Sequence, residues 1–248
     1  MPETSGVQSL DRAFELLERM ADEGGAVGVS ELAAQTGLPL PTIHRLIRSL
    51  MRGGYVRQDA SRRYSLGPRL IRLGDMAGRM VGRWAMPRLS ELVSEIGETA
   101  NMAVLEGDAV VYVAQVPSAH SMRMFTEVGR RVLPHATGVG KALLSMLEDD
   151  VVLQLLGRTG MPAQTEHTIT TPEALLAELR LIRKRGYAID DSEQEIGVRC
   201  VAVPVADPQN LAAISVSGPS GRVTAKRVRD IAPVLIDAAA KLQKDLND

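Results

Sequence analysis

Apolar residues recur at helical spacing in some stretches of the chain and alternate in others. Over residues 7–22, Leu10, Ala13, Phe14, Leu16, Leu17 and Met20 form one broad apolar face, which predicts a helix. Residues 1–6 lack that rhythm and read as a disordered lead. Residues 29–66 carry a tighter pattern. A first short helix is expected to start at Ser30, whose hydroxyl suits an N-cap. Glu31 follows in the first turn, where the helix dipole favours a carboxylate, and Gly37 stands where a C′ glycine would end the helix. Pro39 and Pro41 flank Leu40, so no helix runs straight through, and Pro41 is placed to open the next one. In that second helix Ile43, Leu46, Ile47 and Leu50 make an i, i+3, i+4, i+7 stripe that must face a core. Thr42, His44, Arg45, Arg48, Ser49 and Arg52 lie opposite, and Gly53-Gly54 stop the helix. Residues 55–57 and 63–66 then alternate as two strands around a polar tip at 58–62.

Beyond Gly67-Pro68, Leu70, Leu73, Met76, Ala77 and Met80 predict a helix over 69–81, read as a linker and a dimer contact. From residue 83 the rhythm changes. A helix to Ile96 starts or kinks near Pro87. Strands are expected at 99–105 and 109–115, joined by the Glu106-Gly107-Asp108 turn, with a short third strand at 122–125. Helices follow at 138–146, 149–156 and 173–185, the last opened by Pro172 and ended by Gly186. Strands at 187–190, 198–205 and 212–217 precede a closing helix at 224–247, capped by Thr224 and bent near Pro233. The expected fold is α+β: a winged helix-turn-helix domain over 1–67, a linker helix over 68–82, and a sensor-like domain over 83–248.

Charge gives the first of these domains a function. Residues 45–72 hold eight arginines against the single acid Asp59, a local balance of +7. The whole chain is −1, so the remainder carries −8. Such a patch attracts phosphates, and arginine suits bidentate contacts to phosphate or guanine. A charge run is often only a solvated helix face; here a sharp turn, an apolar stripe and a basic hairpin accompany it, which favours double-stranded DNA as partner. Pro41, Thr42, His44, Arg45 and Arg48 are the candidates on the recognition helix, with Arg62 and Arg63 on the wing. His44 reads equally well as a partly buried helix residue.

Composition narrows the rest. Aromatics make up 3% of residues, so the core is aliphatic and stacking platforms for single-stranded nucleic acid are not expected. One cysteine allows neither an intramolecular disulfide nor a cysteine-rich zinc site. No signal peptide or bilayer-length apolar run is visible, so a cytoplasmic protein with no membrane partner is expected.

The chain resembles the IclR family of bacterial transcriptional regulators over nearly its whole length. The resemblance is carried by TGLPLPTIHRLIRSL and RRYSLGPRLIRLG in the first domain, and by LPHATGVGKALL, RGYAIDDSEQEIGVRCVAVPV and ISVSGPSGRVT in the second. It implies operator binding as a homodimer or homotetramer, and a GAF- or PAS-like C-terminal domain that binds a small metabolite. It places an effector pocket at Gly138, Val139, Asp190, Cys200, Ser215 and Ser217, with Met124 and Val132 as an apolar wall. Alanine is common in the family where Val139 stands, which implies a narrower pocket here. Within the family, RMFTEVGRRVLPHATGVGKALL most resembles the branch governing allantoin and glyoxylate metabolism. The residues agree with part of this: in the Ile214–Ser217 stretch both serines point to one strand face and need hydrogen-bond partners. A carboxylate or ureide would supply them, as would neighbouring backbone or water.

Other chemistry is less well supported. Cys200 as a nucleophile would need a base, and nothing in the sequence places His120, His135 or His167 beside it. Asp190, Asp191, Glu193 and Glu195 fit neither a calcium loop nor a facial triad, so no metal site is expected. The run 138–142 resembles a phosphate loop only superficially, because His135 stands at the first glycine and Ala142 at the Ser/Thr position. No catalytic residues and no cofactor are expected. The reading is a ligand-responsive repressor released by a small carboxylate or ureide; the alternative is an activator of the same family answering an aromatic or other organic acid. An enzyme with a borrowed DNA-binding domain lacks a converging base and nucleophile. An architectural DNA binder has no need of a sensor domain.

Overall fold

A computed structural model describes residues 7–81, 83–124, 126–206 and 211–247. The lead at 1–6 and the last residue of the strand expected at 122–125 lie outside the described residues. The chain divides into two compact units, 1–77 and 78–248.

The first unit packs α1 (Gln8–Asp22), α2 (Val29–Thr36) and α3 (Leu40–Arg52) with a hairpin of β1 (Val56–Gln58) and β2 (Tyr64–Leu66). Its core contains Leu16, Met20, Val27, Leu32, Ile43, Leu46, Ile47, Val56 and Tyr64, so the α3 stripe is buried as the spacing requires. Val27 pairs with Tyr64 as a single-residue bridge on the outer side of β2. The cap of α2 differs from expectation. Gly28, not Ser30, is the extended cap residue. Glu31 reaches back to accept the Gly28 N–H at 3.0 Å, a reach that suits a carboxylate three residues into a helix. Gly37 ends α2 with φ 66°, the left-handed value that favours glycine. After the wing comes α4 (Arg69–Val81).

In the second unit α5 (Met86–Ile96), preceded by a 3₁₀ turn at Arg83–Ala85, leads into β3 (Thr99–Glu106) and β4 (Ala109–Val116). No strand forms at 122–124. The backbone carbonyls there are taken by side chains instead: Thr99 Oγ1 donates to the Met124 carbonyl at 2.9 Å, and Arg222 donates to that of Met122 at 2.9 Å. One edge of the sheet is β5 (Arg131–Val132), which pairs with β4. Helices α6 (Gly138–Leu144), α7 (Asp149–Thr159) and α8 (Pro172–Arg185) precede β6 (Ala188–Asp191), β7 (Val198–Ala206), β8 (Leu211–Pro219) and α9 (Ala225–Asn247). The Thr224 hydroxyl caps α9 by accepting the Arg227 N–H, and Pro233 lies inside that helix.

All six strands pair antiparallel in the order β5-β4-β3-β8-β7-β6. Alternation along the strands feeds two cores. One face gives Met102, Val104, Val201, Val203, Ile214 and Val216 to a core shared with α5 and α9. The other gives Ala103, Ala188, Cys200, Ala202 and Ala213, which pack with residues of α6, α7 and α8. The small residues on that second face let α6 come close to the sheet.

Candidate nucleic-acid interface and effector site

Helix α3 buries one side and leaves the other in solvent. Pro41, His44, Arg45 and Arg48 are exposed and Thr42 is half-buried, so His44 is not a core histidine. At the wing, the Asp59 carboxylate accepts the Ser61 hydroxyl at 2.7 Å and the Arg63 N–H at 2.9 Å, and these bonds hold its pKa below the usual value. The turn they close sets Arg62 at φ 62°, exposed at the tip. Arg63 departs from expectation. Its guanidinium makes two bonds to Glu31, at 3.1 and 2.9 Å, and a third to the Ala26 carbonyl at 2.9 Å. It ties the wing to α2 instead of projecting a free cation. Arg57 bonds Ser65, and Arg69 bonds the Gly53 carbonyl while its guanidinium lies 5.3 Å from the Tyr55 ring centroid. Among the described residues the side chains of Arg45, Arg48 and Arg62 carry no such bond.

The second site lies on the sheet face under α6. Strand register sets Thr99, Ser217, Cys200 and Asp190 side by side on β3, β8, β7 and β6. One row along stand Asn101, Ser215, Ala202 and Ala188. Five of the expected pocket positions, Gly138, Asp190, Cys200, Ser215 and Ser217, therefore meet. Glycine at 138 suits the close packing: a Cβ there would lie 3.0 Å from Cys200 Sγ and 3.5 Å from the Asp190 Cβ. Gly140 is tighter, since a Cβ would sit 2.2 Å from the Pro134 carbonyl oxygen. The Thr137 hydroxyl accepts the Gly140 N–H at 3.0 Å and fixes the start of the helix. The Val139 side chain is fully buried in the second core, against which half-buried Val132 also packs. Met124 is half-buried, and its carbonyl meets Thr99 at the end of the first row.

Burial governs the chemistry of this face. It raises the Cys200 thiol pKa to about 12, with the Asp190 charge adding to the effect and the Ser217 and Ser215 hydroxyls opposing it. Such a thiol stays protonated and is a poor nucleophile. Burial also raises Asp190 to about 6, with the Glu193 charge adding, against the Glu193 N–H and the Lys141 charge. The Asp190 carboxylate accepts the Glu193 N–H at 2.8 Å. Beside it Lys141 and Glu193 form a buried ion pair at 2.5 Å. The Ser215 hydroxyl, fully buried beside Cys200, has no hydrogen-bond partner of good geometry.

The sequence reading missed Asn101, Thr99, Tyr112 and the Lys141–Glu193 pair. Asn101 is buried, with Nδ2 unpartnered. Tyr112 packs against the same core, and burial together with the charges of Cys200 and Asp190 raises its phenol pKa. The available signals were weak: two polar residues alternating in the strand Thr99–Glu106, and one lysine in the apolar helix Gly138–Leu144. Among the described residues no cluster of three His, Cys, Asp or Glu could hold a metal, and no helix is long and apolar enough to cross a membrane.

Comparison with known proteins bears on both sites. The IclR helix-turn-helix domain matches residues 9–60, and the bacterial transcriptional regulator IclR C-terminal domain matches residues 77–244. The transcriptional repressor IclR of Escherichia coli is 39% identical over 248 residues, covering 97% of this chain and 90% of that protein. An IclR transcriptional regulator from Alicyclobacillus acidocaldarius superposes with a TM-score of 0.85 at 28% identity, over 98% of this chain and 100% of its own. An IclR homologue from Microbacterium hydrocarbonoxydans, complexed with 4-hydroxybenzoate, gives 0.81 at 26% identity, over 96% and 99%.

Proposed function

The chain belongs to the IclR family of bacterial transcriptional regulators, and from that premise we propose that it is a repressor which a small carboxylate or ureide releases from its operator. As a member it is a ligand-responsive DNA-binding regulator, not an enzyme. Helix α3 enters the major groove through Pro41, Thr42, His44, Arg45 and Arg48, and Arg62 carries the wing to the flanking backbone. Arg63 supports the wing through Glu31. Exposed Leu10 and Phe14 on α1, and Ile71 and Met76 on α4, support self-association that sets two recognition helices on two half-sites. A chromosomal DNA target supports a cytoplasmic location, and among the described residues no helix is long and apolar enough to cross a membrane.

The effector binds on the sheet face among Gly138, Val139, Asp190, Cys200, Ser215 and Ser217, bounded by Met124 and Val132. The observation that carries this is the Ser215 hydroxyl, fully buried and unpartnered in the row beside Ser217, Cys200 and Asp190. A buried polar group costs free energy unless something bonds it, and a ligand with acceptor oxygens would do so. For release, the ligand must favour the arrangement of the two DNA-binding domains that fits the operator poorly. The likeness to a homologue complexed with 4-hydroxybenzoate favours a second reading, an aromatic acid as effector. A thermal-shift screen of small carboxylates and ureides, glyoxylate and allantoin included, tests the proposal. The effector should raise the melting temperature with the logarithm of its concentration and loosen operator DNA; a stabilising ligand that leaves DNA affinity unchanged would contradict it.

A further inference from the structure

We propose that the effector site takes up one proton with each carboxylate it binds, and that Glu193 imposes this by cancelling the charge of Lys141. The inference rests on the effector reading above and deepens it to the charge of the ligand. Lys141, Glu193 and Asp190 meet where α6 packs on β6, at 0%, 8% and 4% exposure. Lys141 Nζ donates to Glu193 Oε1 at 2.5 Å. Asp190 accepts the N–H groups of Glu193 and Gln194 at 2.8 and 3.4 Å. The Glu193 carbonyl accepts the Thr168 and Thr165 hydroxyls at 2.6 and 3.3 Å, so the main chain holds its place whatever its side chain does. The ion pair itself is under-bonded: Glu193 Oε2 is buried with no partner. A buried pair of that kind is a poor source of stability. Its consequence is electrostatic, because it removes the Lys141 charge from the site.

A charge count defines what fits. With all three groups ionised, one cation faces two carboxylates and the cluster carries a net −1. A carboxylate ligand adds a second negative charge where water screens little. A proton on the Asp190 carboxyl restores the balance, and burial has already raised that group to about 6. Burial raises Glu193 as well, but the Lys141 contact opposes this and holds it as the carboxylate. The other groups facing this cluster are neutral or paired. The Cys200 thiol on β7 and the Tyr112 phenol on β4 are raised by burial and stay protonated, and Arg130, ahead of β5, faces Tyr112. Burial lowers His135, in the turn before α6, and keeps it neutral. Glu178 on α8 faces Glu193 and is paired with Arg185 at 2.7 Å. The site therefore suits a monoanionic carboxylate, which one proton offsets, or a neutral ureide, which needs none.

Titration calorimetry of glyoxylate in two buffers of different ionisation enthalpy reads the proton directly. Wild-type protein should take up about one proton per glyoxylate at pH 7 and close to none at pH 5, where Asp190 is already protonated. Glu193→Gln leaves Lys141 to balance an ionised Asp190, so uptake at pH 7 should fall below about 0.3. Lys141→Met/Glu193→Gln removes both charges and leaves Asp190 alone, so uptake should return to about one. Replacing both partners of a buried pair is often tolerated, whereas a merely structural pair would show no such reversal. No uptake by wild type at pH 7, a Glu193→Gln protein that keeps it, or a double variant without it overturns the proposal. The ligand-free protein gives a separate reading. The carbon-13 resonance of the Asp190 carboxyl should titrate near pH 6 in wild type, about one pH unit lower in Glu193→Gln and about one higher in Lys141→Met. Either single variant that folds decides the matter, and a midpoint that stays put or moves the other way overturns the proposal. Failure of the underlying effector reading looks different: glyoxylate and other small carboxylates do not bind wild-type protein, while the ligand-free titrations still report on Lys141 and Glu193.

Discussion

The exposed face of α3 and the buried face of the sheet use polar residues in opposite ways. On α3, Arg45 and Arg48 stand in solvent without side-chain partners, and the wing adds Arg62. Their charge acts at a distance and is screened by salt. On the sheet, Asp190, Cys200, Ser215 and Ser217 are nearly inaccessible, and the positions of their neighbours decide everything. There, one unpaired hydroxyl or one shifted carboxylate matters more than net charge. In the function we propose, the first region supplies grip on DNA and the second the decision to let go, so substitutions in one should leave the other's function standing.

The largest effect should come from Arg45→Ala, which is expected to weaken operator binding by about 10- to 100-fold, the cost of a lost groove contact. Ligand affinity should stay within about twofold, since no ligand contact is lost. Loss of both would mean the regions are not separable. The slope of log affinity against log salt sharpens the assignment: a fall of about one in the variant marks a phosphate contact.

Next is pH. Because burial raises Asp190 from 3.8 to about 6, the folded chain holds its proton more tightly than the unfolded chain. That contribution to stability is fully present below about pH 4 and is lost as pH rises through about 6. A carboxylate ligand beside Asp190 favours the neutral form, so its affinity should fall as pH climbs from 5 to 7, by up to about tenfold per unit. Titration calorimetry across that window should show the decline in wild type and a flat profile in Asp190→Asn. A decline that persists in Asp190→Asn would assign the proton elsewhere.

The smallest effect concerns Arg63. If it braces the wing on Glu31, then Arg63→Ala should lower the melting temperature slightly, Glu31→Ala by more because it also gives up the Gly28 cap, and the double variant by little more than Glu31→Ala alone. Arg62→Ala should leave stability alone and weaken DNA binding. Additive losses for the Arg63/Glu31 pair would show that the brace has no energetic weight.

The same contrast explains what the sequence disclosed. The α3 stripe, Pro41, Gly37 and the run of arginines are local signals, and they placed α3 and its exposed face. The bonding of Arg63 was not legible because its partner, Glu31, is thirty-two residues away and charge alone does not say what a guanidinium is bonded to. The sheet face was legible only through family motifs. Asp190, Cys200, Ser217 and Thr99 become neighbours through strand register, and β3 pairs with β8 from more than a hundred residues away. Asn101 carried no motif at all; two polar residues in an apolar strand could equally have faced solvent. No strand forms over 122–124 because side-chain hydrogen bonds from Thr99 and Arg222, invisible in a local pattern, take the Met124 and Met122 carbonyls.

The division of labour is tested most directly by measuring release from operator DNA as effector is added, in wild type and in Ser215→Ala/Ser217→Ala. Without ligand the two proteins should bind DNA with equal affinity. The midpoint of release should move to about tenfold higher ligand in the double variant, the worth of two neutral hydrogen bonds. An unchanged midpoint, or a double variant that no longer binds DNA, would contradict the account.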